Sequence, residues 1–394
     1  MFKSALVLLL CYLIGSVPWS AIVAKVFGRA SIDLSREGTR NVGATNVWHL
    51  AGPIAGCIAA AGDACKGILA VSIGRWVGFP GFMWPLCGWM AVVGHSWSVF
   101  LKFKGGRGAS ATVGSFVALM PWEAVACGLM VATGLLTLGG CLLLSMTAVW
   151  PFCLVLALAM DTIDFKTACT AAFLVLWVII FGWKSLRSDF VAFAEAVHTH
   201  LVRRKLYRYS ALIFPALIYP VFGYGAFRSV LLVSAGMAFV VEYLRFHVPK
   251  VNEYVKRLFA PVGRPREAEH VSSTTTFLLG SAIASLFPEP IGAISMVMLI
   301  LGDAWATLCG IKFGRRHLIG GKTLEGSLGC FVISCLSCFL MGKLFNYPLS
   351  MVQSLAAALA VTMVEALTPM GLDNLTMAPI AALFLFGMRA ICGL

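Results

Sequence analysis

The sequence has very little charge for its length. Only 12% of its 394 residues are charged, whereas a soluble globular domain carries about 25%. With 60% hydrophobic residues and a mean hydropathy of +0.90, the chain does not fit the soluble class and is predicted to be a polytopic membrane protein. The apolar runs are continuous rather than alternating, which excludes a transmembrane β-barrel and predicts helices. Because no soluble basic domain is evident, we expect no nucleic-acid partner.

Acidic residues are especially few. The chain has 17 Asp and Glu against 30 Lys and Arg, which gives a formal net charge of +13. The basic residues gather in loops such as 25–40, 102–107 and 184–208, and the preference of cytoplasmic loops for Lys and Arg explains most of the excess. We therefore expect a multi-pass protein of the inner (cytoplasmic) membrane whose active sites face the cytoplasm.

The 13 cysteines lie mostly inside apolar runs, as do Cys335 and Cys338 of a C-x-x-C pair. Their surroundings favour buried small side chains over redox or metal chemistry. A cleaved signal peptide is not favoured either, because the first apolar run, 5–14, continues through 19–27.

The apolar runs have room for about 14 spans of about 20 residues each. We predict an all-α polytopic membrane protein with two seven-span bundles. A charged stretch separates them, so we predict a first domain over 1–188, a linker over 189–208 and a second domain over 209–394.

One long apolar block, 109–160, is predicted to cross the membrane three times. Pro121, Gly139-Gly140 and Pro151 are the expected breaks in it, because proline and glycine interrupt helices.

Polar, glycine-rich islands interrupt the apolar runs of the first half. Residues 38–46 read GTRNVGATN, and residues 103–108 read FKGGRG. Glycine lets backbone N–H groups approach a ligand closely, and lysine or arginine adds charge at the same point. Such segments suit a phosphate-bearing substrate at a membrane surface.

Three ionisable residues lie close to these islands. Asp63 and Lys66 are three apart, so they share a helix face and can pair. Because charges inside a span are costly, the pair is either a structural ion pair or part of a substrate site. His95 is likewise either a base or phosphate donor, or a histidine that holds the next loop.

The first half resembles the acyl-phosphate-dependent glycerol-3-phosphate acyltransferases of bacterial membranes (the PlsY family) over about residues 12–120. The motifs that carry the resemblance are, in order, G-S-x-P at 15–18, N-x-G-A-T-N at 41–46, D-x-x-K-G at 63–67, G-H at 94–95 and F-K-G-G-R-G at 103–108. The resemblance implies a seven-span fold and acyl transfer from acyl phosphate to glycerol 3-phosphate, giving lysophosphatidate.

These two substrates both carry phosphate, so the site needs several donors and positive charge. An acyl phosphate is already activated, so positioning and oxyanion stabilisation suffice without a serine nucleophile. The residues assigned to catalysis are Lys104, His95 and Asn46, and those assigned to substrate binding are Asn41, Gly43, Thr45, Gly105, Gly106 and Arg107.

The chain departs from the family pattern at the end of the first half. The family has an Arg-His pair there and an Asn shortly after, whereas residues 181–187 read FGWKSLR and lack both His and Asn.

The second half has its own ordered series. It contains G-D-A at 302–304, G-K-T-L-E-G-S at 321–327 and E-A-L-T-P-M-G-L-D-N at 365–374. Over about residues 203–394 these motifs resemble the CTP-dependent lipid kinases (dolichol kinase, phytol kinase and the yeast-type diacylglycerol kinase). The resemblance implies phosphorylation of a lipid alcohol by CTP with Mg²⁺.

Phosphoryl transfer needs charge neutralisation and in-line placement. The G-G-K-T string is not a P-loop, because Arg316 stands where that motif needs its first glycine. Asp303 is also a candidate to orient the lipid hydroxyl. The residues assigned to substrate binding are Lys322, Thr323 (with the Gly320-Gly321 backbone) and Asn374, and the assigned Mg²⁺ ligands are Asp303, Glu325 and Asp373.

Three hypotheses follow. The first is a fused bifunctional enzyme of phospholipid metabolism that carries both activities. The second is a CTP-dependent lipid kinase with a degenerate acyltransferase half. The third is a transporter or channel, which the placement of the glycine motifs on one predicted face of the membrane disfavours.

Overall fold

The computed structural model describes residues 2–28, 32–263, 267, 270–318, 321–369 and 371–392. This described part is built of α-helices and contains no strand, only an isolated bridge between His317 and Thr323. The helices are α1 (Phe2–Ser16), α2 (Trp19–Phe27), α3 (Ala44–Ala51), α4 (Pro53–Trp76), α5 (Trp84–Ser96), α6 (Ala109–Leu119), α7 (Pro121–Leu138), α8 (Leu142–Ala159), α9 (Phe165–Val197), α10 (His200–Ser210), α11 (Tyr219–His247), α12 (Pro249–Phe259), α13 (Ser273–Ser285), α14 (Ile291–Phe313), α15 (Leu324–Leu344), α16 (Met351–Leu367) and α17 (Asp373–Cys392).

The predicted all-α membrane fold is confirmed. Within the described ranges, 8 helices or joined helix pairs are long and apolar enough to cross a membrane, and α6 and α16 are shorter apolar helices. The count of fourteen spans stays a prediction, since several helices of the bundle, such as α5 and α13, are too short to be identified as spans by length and hydropathy alone.

The chain forms two compact units. Unit 1 comprises Met1–Val131 and Gly140–Ala192, and unit 2 comprises Ala132–Gly139 and Phe193–Leu394. The division after residue 192 lies inside the predicted linker. That linker is largely helical, because α9 runs through its first part and α10 covers its end.

In unit 1 the helices approach closely through small residues. A Cβ at Gly15 would overlap the Ala91 carbonyl, so α1 and α5 touch backbone to backbone. A Cβ at Gly114 would likewise overlap the Ala64 carbonyl where α6 crosses α4. Such glycine-mediated contact is typical of membrane helices, whose association depends on close packing. It brings α4 and α5, which hold the ionisable residues, to the middle of the unit.

In unit 2 the central element is α14, whose first turns, residues 291–301, are buried on all sides. A helix that is apolar all round belongs in the interior of a bundle. A Cβ at Gly326 would lie 2.6 Å from the Ala306 carbonyl oxygen, so α15 packs tightly on α14. Side-chain caps start the flanking helices: Ser272 accepts a hydrogen bond from the Thr275 amide at α13, and Thr323 accepts one from the Gly326 amide at α15.

Residues 132–139, which are the last part of α7 and the glycine after it, belong to unit 2 by their contacts. The indole N–H of Trp305 donates to Thr133 Oγ1 over 3.0 Å, and the hydroxyls of Thr137 and Tyr209 are 2.9 Å apart. The predicted domain boundaries assign this segment to the first domain, whereas its contacts assign it to unit 2.

The predicted three helices of block 109–160 are present as α6, α7 and α8. Two of the three expected breaks occur, because Pro121 begins α7 and Gly139-Gly140 lies between α7 and α8. The third expectation is wrong: Pro151 lies inside α8 without ending it. Cys335 and Cys338 are buried free thiols, as expected.

Candidate active sites

The polar centre of unit 1 is built around the Asp63 carboxylate. Lys66, one turn later on α4, places its ammonium 2.5 Å from Asp63 Oδ1. Ser20 of α2 donates its hydroxyl to Asp63 Oδ2 over 2.5 Å, and Nδ1 of His95 on α5 lies 3.4 Å from Asp63 Oδ1. All four residues are buried, and we call them the Asp63 cluster. The structure thereby joins the predicted Asp63–Lys66 pair to His95.

The Asp63 cluster faces a small, partly open cleft. The turn between α1 and α2 forms one wall, and the segment after α5 forms another. The lining residues are Ser16, Val17, Pro18, Trp19, Ser20, Val42, Asp63, Lys66, His95, Ser98 and Leu101. The cleft therefore brings together residues from four of the five predicted motifs.

The FKGGRG loop, residues 103–108, folds directly against His95. The Gly106 amide donates to the His95 carbonyl over 3.1 Å. A Cβ at Gly106 would overlap His95 Nε2 and lie 2.5 Å from the Val42 carbonyl oxygen, and a Cβ at Gly105 would overlap the His95 carbonyl. Gly108 has a φ of +84° and begins α6, a conformation that favours glycine. The glycines are thus needed for the close approach of the loop to the imidazole.

Two cations belong to this loop. Lys104 is exposed, whereas Arg107 is half-buried and donates to Ser185 Oγ on α9. Partial burial lowers the pKa of Arg107, and the negative charge of Asp189 opposes that shift. Within the described ranges neither cation has a carboxylate oxygen within 4 Å, so both retain positive charge that an anionic ligand would neutralise.

Asn46, which was predicted to be catalytic, is fully buried and holds the preceding loop. Its carbonyl oxygen accepts from the Thr39 amide over 2.8 Å, and its amide nitrogen donates to the carbonyls of Leu34 and Glu37 over 3.0 Å each. Gly38 has a φ of +58°, and a Cβ there would overlap Asn46 Oδ1. The amide of Asn46 is therefore occupied by loop backbone.

The remaining binding candidates lie at the amino end of α3. Gly43 is the extended N-cap and provides no side-chain cap, Asn41 is half-buried beside it and Thr45 is exposed in the first turn. Free amides at the start of a helix are donors suited to an anion. Because α3 follows directly from the loop that Asn46 holds, Asn46 positions this end of the helix.

The segment that departs from the family pattern contributes to the same side of unit 1. Ser185 accepts the hydrogen bond from Arg107, and Asp189 Oδ2 accepts from the amides of Leu143 and Leu144 over 2.8 and 3.1 Å, capping α8. In this segment, which lacks the family's His and Asn, Ser185 is the observed partner of Arg107.

The polar centre of unit 2 contains Asp303, which lies on α14 between two cations of α10. Lys205 Nζ is 3.3 Å and Arg208 Nη2 is 3.6 Å from Asp303 Oδ2. Arg208 also donates to Asn374 Oδ1 at the start of α17. The predicted residues Asp303 and Asn374, far apart in sequence, are therefore bridged by one guanidinium.

A second group of charges lies beside Asn374. Lys322 Nζ is 3.2 Å from Glu365 Oε1 and 3.6 Å from Asp373 Oδ2. Ser327 donates to Glu365 Oε2 over 3.2 Å, and Asp373 Oδ1 accepts from the Asn374 amide over 2.9 Å. We call this set the unit 2 charge network; its charged members are Lys205, Arg208, Asp303, Lys322, Glu365 and Asp373.

The predicted magnesium ligands do not form a shared site as arranged. Asp303 is paired with the α10 cations, Asp373 lies beside Lys322, and Glu325 Oε2 accepts from the Arg315 and Arg316 amides over 3.0 and 3.3 Å. In the part of the chain that the structure describes, no group of three or more His, Cys, Asp or Glu is arranged to hold a metal ion. The Mg²⁺ assignment stays a prediction.

Thr323 is used locally as the N-cap of α15. Gly320 lies outside the described residues, so the predicted Gly320-Gly321 cradle has no structural description. Sequence reasoning missed Ser20, Arg208 and Ser185 as site residues. A signal for Arg208 was present, because it lies three residues after Lys205 on α10 and so shares its helix face.

The family named Glycerol-3-phosphate acyltransferase matches residues 5–188 of the chain. A glycerol-3-phosphate acyltransferase of Thermus thermophilus is 36% identical over 186 residues, which are 46% of this chain and 89% of that protein. Glycerol-3-phosphate acyltransferase 2 of Moorella thermoacetica is 44% identical over 117 residues, or 29% of this chain and 58% of that protein.

A relative from Desulforudis audaxviator is 45% identical over 116 residues, 29% of this chain and 57% of that protein. The chain thus spans somewhat more than half the length of the first curated relatives it matches. A crystal structure of PlsY, an integral membrane glycerol 3-phosphate acyltransferase, is similar with a TM-score of 0.43 and 22% identity, covering 48% of this chain and 92% of PlsY.

Proposed function

The chain belongs to the glycerol-3-phosphate acyltransferase family through residues 5–188, and from this premise we propose that unit 1 transfers an acyl group from acyl phosphate to glycerol 3-phosphate. The products are lysophosphatidate and inorganic phosphate. The observation that carries the proposal is the polar cleft of the Asp63 cluster, whose His95 contacts a loop with two cations that have no carboxylate oxygen within 4 Å among the described residues.

The charges of unit 1 suit two phosphate-bearing substrates. Lys104 and Arg107 of the FKGGRG loop bind the phosphate that leaves the acyl donor. The amino end of α3, with Asn41, Gly43 and Thr45, binds the phosphate of the acceptor. Asn46 acts by positioning that helix end through its three loop hydrogen bonds.

In the transfer step, the acceptor hydroxyl oxygen bonds to the acyl carbon and the bond from that carbon to the phosphate oxygen breaks. We assign the hydroxyl proton to Nε2 of His95. Asp63 lies 3.4 Å from the opposite ring nitrogen, so the carboxylate orients the ring and stabilises the imidazolium that forms.

The test uses the purified full chain with radiolabelled glycerol 3-phosphate and palmitoyl phosphate. We expect labelled lysophosphatidate, and we expect palmitoyl coenzyme A and palmitoyl acyl carrier protein not to replace the donor. Lys104→Ala should abolish formation of the product. Lys102→Ala is the matched control, because Lys102 is an exposed lysine of the same segment outside the glycine loop.

Absence of labelled product with every donor, from protein that remains folded, would overturn the proposal. It would favour the alternative that the missing His and Asn of segment 181–187 leave unit 1 inactive. If labelled product does form, Arg107→Ala and Ser185→Ala test the observed contact between these two residues, and we expect both variants to lose activity.

For unit 2 we propose a second activity, the CTP-dependent phosphorylation of a lipid alcohol. The observation that favours it is the unit 2 charge network, in which Asp303 lies between Lys205 and Arg208 and Lys322 lies between two carboxylates. We assign the cations to a polyphosphate and Asp303 to the orientation of the hydroxyl. When bound, Mg²⁺ would neutralise phosphate charge.

The test of the second activity adds radiolabelled CTP or ATP to membranes containing the full chain and identifies labelled lipids by mass spectrometry. We expect transfer from CTP that Lys322→Ala abolishes and Lys343→Ala, outside the network, retains. Acyl transfer by unit 1 should be unchanged in both variants. Labelling that is equal in membranes lacking the protein would contradict the proposal.

We also place both sites on the cytoplasmic face of the inner membrane. The proposal is based on the basic loops around 32–43 and 102–108, which positive-inside topology assigns to the cytoplasm. Cysteines introduced in these loops should react with a membrane-impermeant maleimide only after the cells are opened. Labelling of intact spheroplasts from outside would contradict this orientation.

A further inference from the structure

Helix α12, Pro249–Phe259, differs from the other helices of unit 2 in having no buried residue. Its apolar residues follow the spacing i, i+3, i+4, i+7 and i+8, which places them on one helix face. The members of this apolar face are Val251, Tyr254, Val255, Leu258 and Phe259. Tyr254 and Leu258 are 67% and 59% exposed and the other three members are half-buried, so among the described residues one side of this face is uncovered.

The rest of α12 carries mainly positive charge. It contains three cations, Lys250, Lys256 and Arg257, and one carboxylate, Glu253. Glu253 pairs with Arg257 over 2.5 Å. These residues flank the apolar face and cover the opposite side of the helix. A helix with one apolar face and a basic remainder is typical of segments that lie in a membrane interface.

The position of α12 in the chain agrees with this pattern. It follows α11, a candidate membrane span, whose last turns expose the apolar side chains of Val240, Tyr243 and Phe246. Val248 is extended, with φ −124° and ψ 102°, and Pro249 opens α12. The chain therefore leaves the end of a lipid-exposed helix and immediately starts a separate one.

The far end of α12 is held against α10. The ring of Phe259 meets the ring of Tyr207 edge to face with centroids 6.3 Å apart. Tyr207 directly precedes Arg208, a member of the unit 2 charge network. α12 is thus joined to α11 at its start and contacts α10 at its end, which restricts the helix to the neighbourhood of the span end.

We propose that α12 lies in the plane of the membrane interface and binds anionic phospholipid, with its apolar face among the acyl chains and its cations at the headgroups. The choice of a lipid surface over a protein partner follows from two observations: α12 directly follows a candidate membrane span whose last turns expose apolar side chains, and the borders of its own apolar face are basic. Each interfacial cation favours an anionic surface by about 1 kcal/mol. The inference does not depend on either proposed enzymatic activity.

The test places the photoreactive residue p-benzoyl-phenylalanine at position 254 of the full chain. The protein is reconstituted in bilayer nanodiscs that contain phosphatidylcholine and phosphatidylglycerol, one of which is radiolabelled in each sample. We expect lipid cross-links at position 254 and about fivefold more labelling from phosphatidylglycerol than from phosphatidylcholine at equal content. The matched control is the same label at position 253, on the opposite face, where little lipid should react.

A triple variant, Lys250→Gln, Lys256→Gln and Arg257→Gln, should keep the cross-link at position 254 but make the labelling by the two lipids equal. These side chains are exposed, and a thermal unfolding measurement confirms that the variant is folded. Equal labelling by both lipids in the protein that keeps Lys250, Lys256 and Arg257 would overturn the proposal. So would cross-links at position 254 that join two copies of the chain or a soluble protein instead of lipid.

Discussion

In unit 1 one carboxylate, Asp63, is shared by an ammonium, an imidazole and a hydroxyl, whereas in unit 2 three carboxylates are divided among three cations. Because Asp63 is shared, every contact within the Asp63 cluster depends on this one buried carboxylate. The nearby Lys104 and Arg107 have no carboxylate oxygen within 4 Å in the described ranges. These two cations of unit 1 are therefore not paired with carboxylates, whereas the unit 2 charge network contains equal numbers of cations and carboxylates.

The contrast has an energetic meaning. A buried ion pair contributes little net stability, but removal of one partner strands the other charge at a cost of about 3–5 kcal/mol. In unit 1, where one carboxylate is shared, the full cost follows from the substitution of Asp63 alone. In a distributed network a neighbouring group takes over part of the lost interaction, so single changes should be milder.

The largest effect is expected for Asp63→Asn. The substitution leaves the buried Lys66 ammonium without its partner, so we expect a loss of about 3–5 kcal/mol in unfolding free energy and no acyl transfer. Thermal unfolding in detergent and the labelled-product assay measure the two effects. The double variant Asp63→Asn with Lys66→Met should regain most of the stability but no activity. Wild-type stability in the single variant would show that Asp63 is not the shared partner.

The next largest effect is expected for Gly106→Ala. The added methyl would displace the FKGGRG loop from His95 and the Val42 carbonyl, and a displacement of about 1 Å costs about 100-fold in rate. Acyl-transfer kinetics measure this loss. Gly128→Ala is the control, because no atom lies within 4 Å of its added Cβ. An equal loss in both variants would argue against a specific contact at His95.

A smaller effect is expected for Glu365→Gln in unit 2. The amide keeps the shape of the side chain, Ser327 can still donate to it, and Lys322 retains Asp373 at 3.6 Å. We expect a loss of about 1–3 kcal/mol, measured by thermal unfolding beside Asp63→Asn. If Glu365→Gln lowers the unfolding free energy as much as Asp63→Asn does, the unit 2 charge network does not compensate for a lost carboxylate better than the Asp63 cluster does.

The smallest effect is expected for Asn46→Ala, which deletes three hydrogen bonds to the loop at 34–39. Since Asn46 positions the end of α3 and does not contact the Asp63 cluster, the KM for glycerol 3-phosphate should rise about tenfold, with a lesser change in kcat. Hydrogen exchange of the loop amides should accelerate in the same variant. A fall in kcat at unchanged KM would instead indicate a direct role in the chemical step.

Local patterns in the sequence predicted much of unit 1. The glycine motif identified the loop at 103–108 because close backbone approach requires missing side chains, and the three-residue spacing of Asp63 and Lys66 predicted their shared helix face. The breaks at Pro121 and Gly139-Gly140 were also correct. Pro151 was not, because packing within the bundle retains a proline inside α8 that local preference alone would place at an end.

Long-range partners were not predictable in the same way. No pattern around Asn46 in the sequence predicts that its side-chain amide donates to the carbonyls of Leu34 and Glu37. Likewise, no pattern around Glu325 predicts that its carboxylate accepts from the amides of Arg315 and Arg316. Both were assigned to ligands because their residue types suit ligands. In the structure, the polar side-chain atoms of both residues are hydrogen-bonded to backbone groups of loops.

The sequence by itself determined that this is an all-helical membrane protein with polar, glycine-rich loops, because hydropathy and backbone freedom are properties of short segments. Only the tertiary structure decided which charges meet: Ser20 and His95 at Asp63, Arg208 between Asp303 and Asn374, and Lys322 between Glu365 and Asp373. Those pairings join residues tens of positions or more apart. Helix packing sets them, since a buried charge must find its partner wherever the bundle brings one within reach.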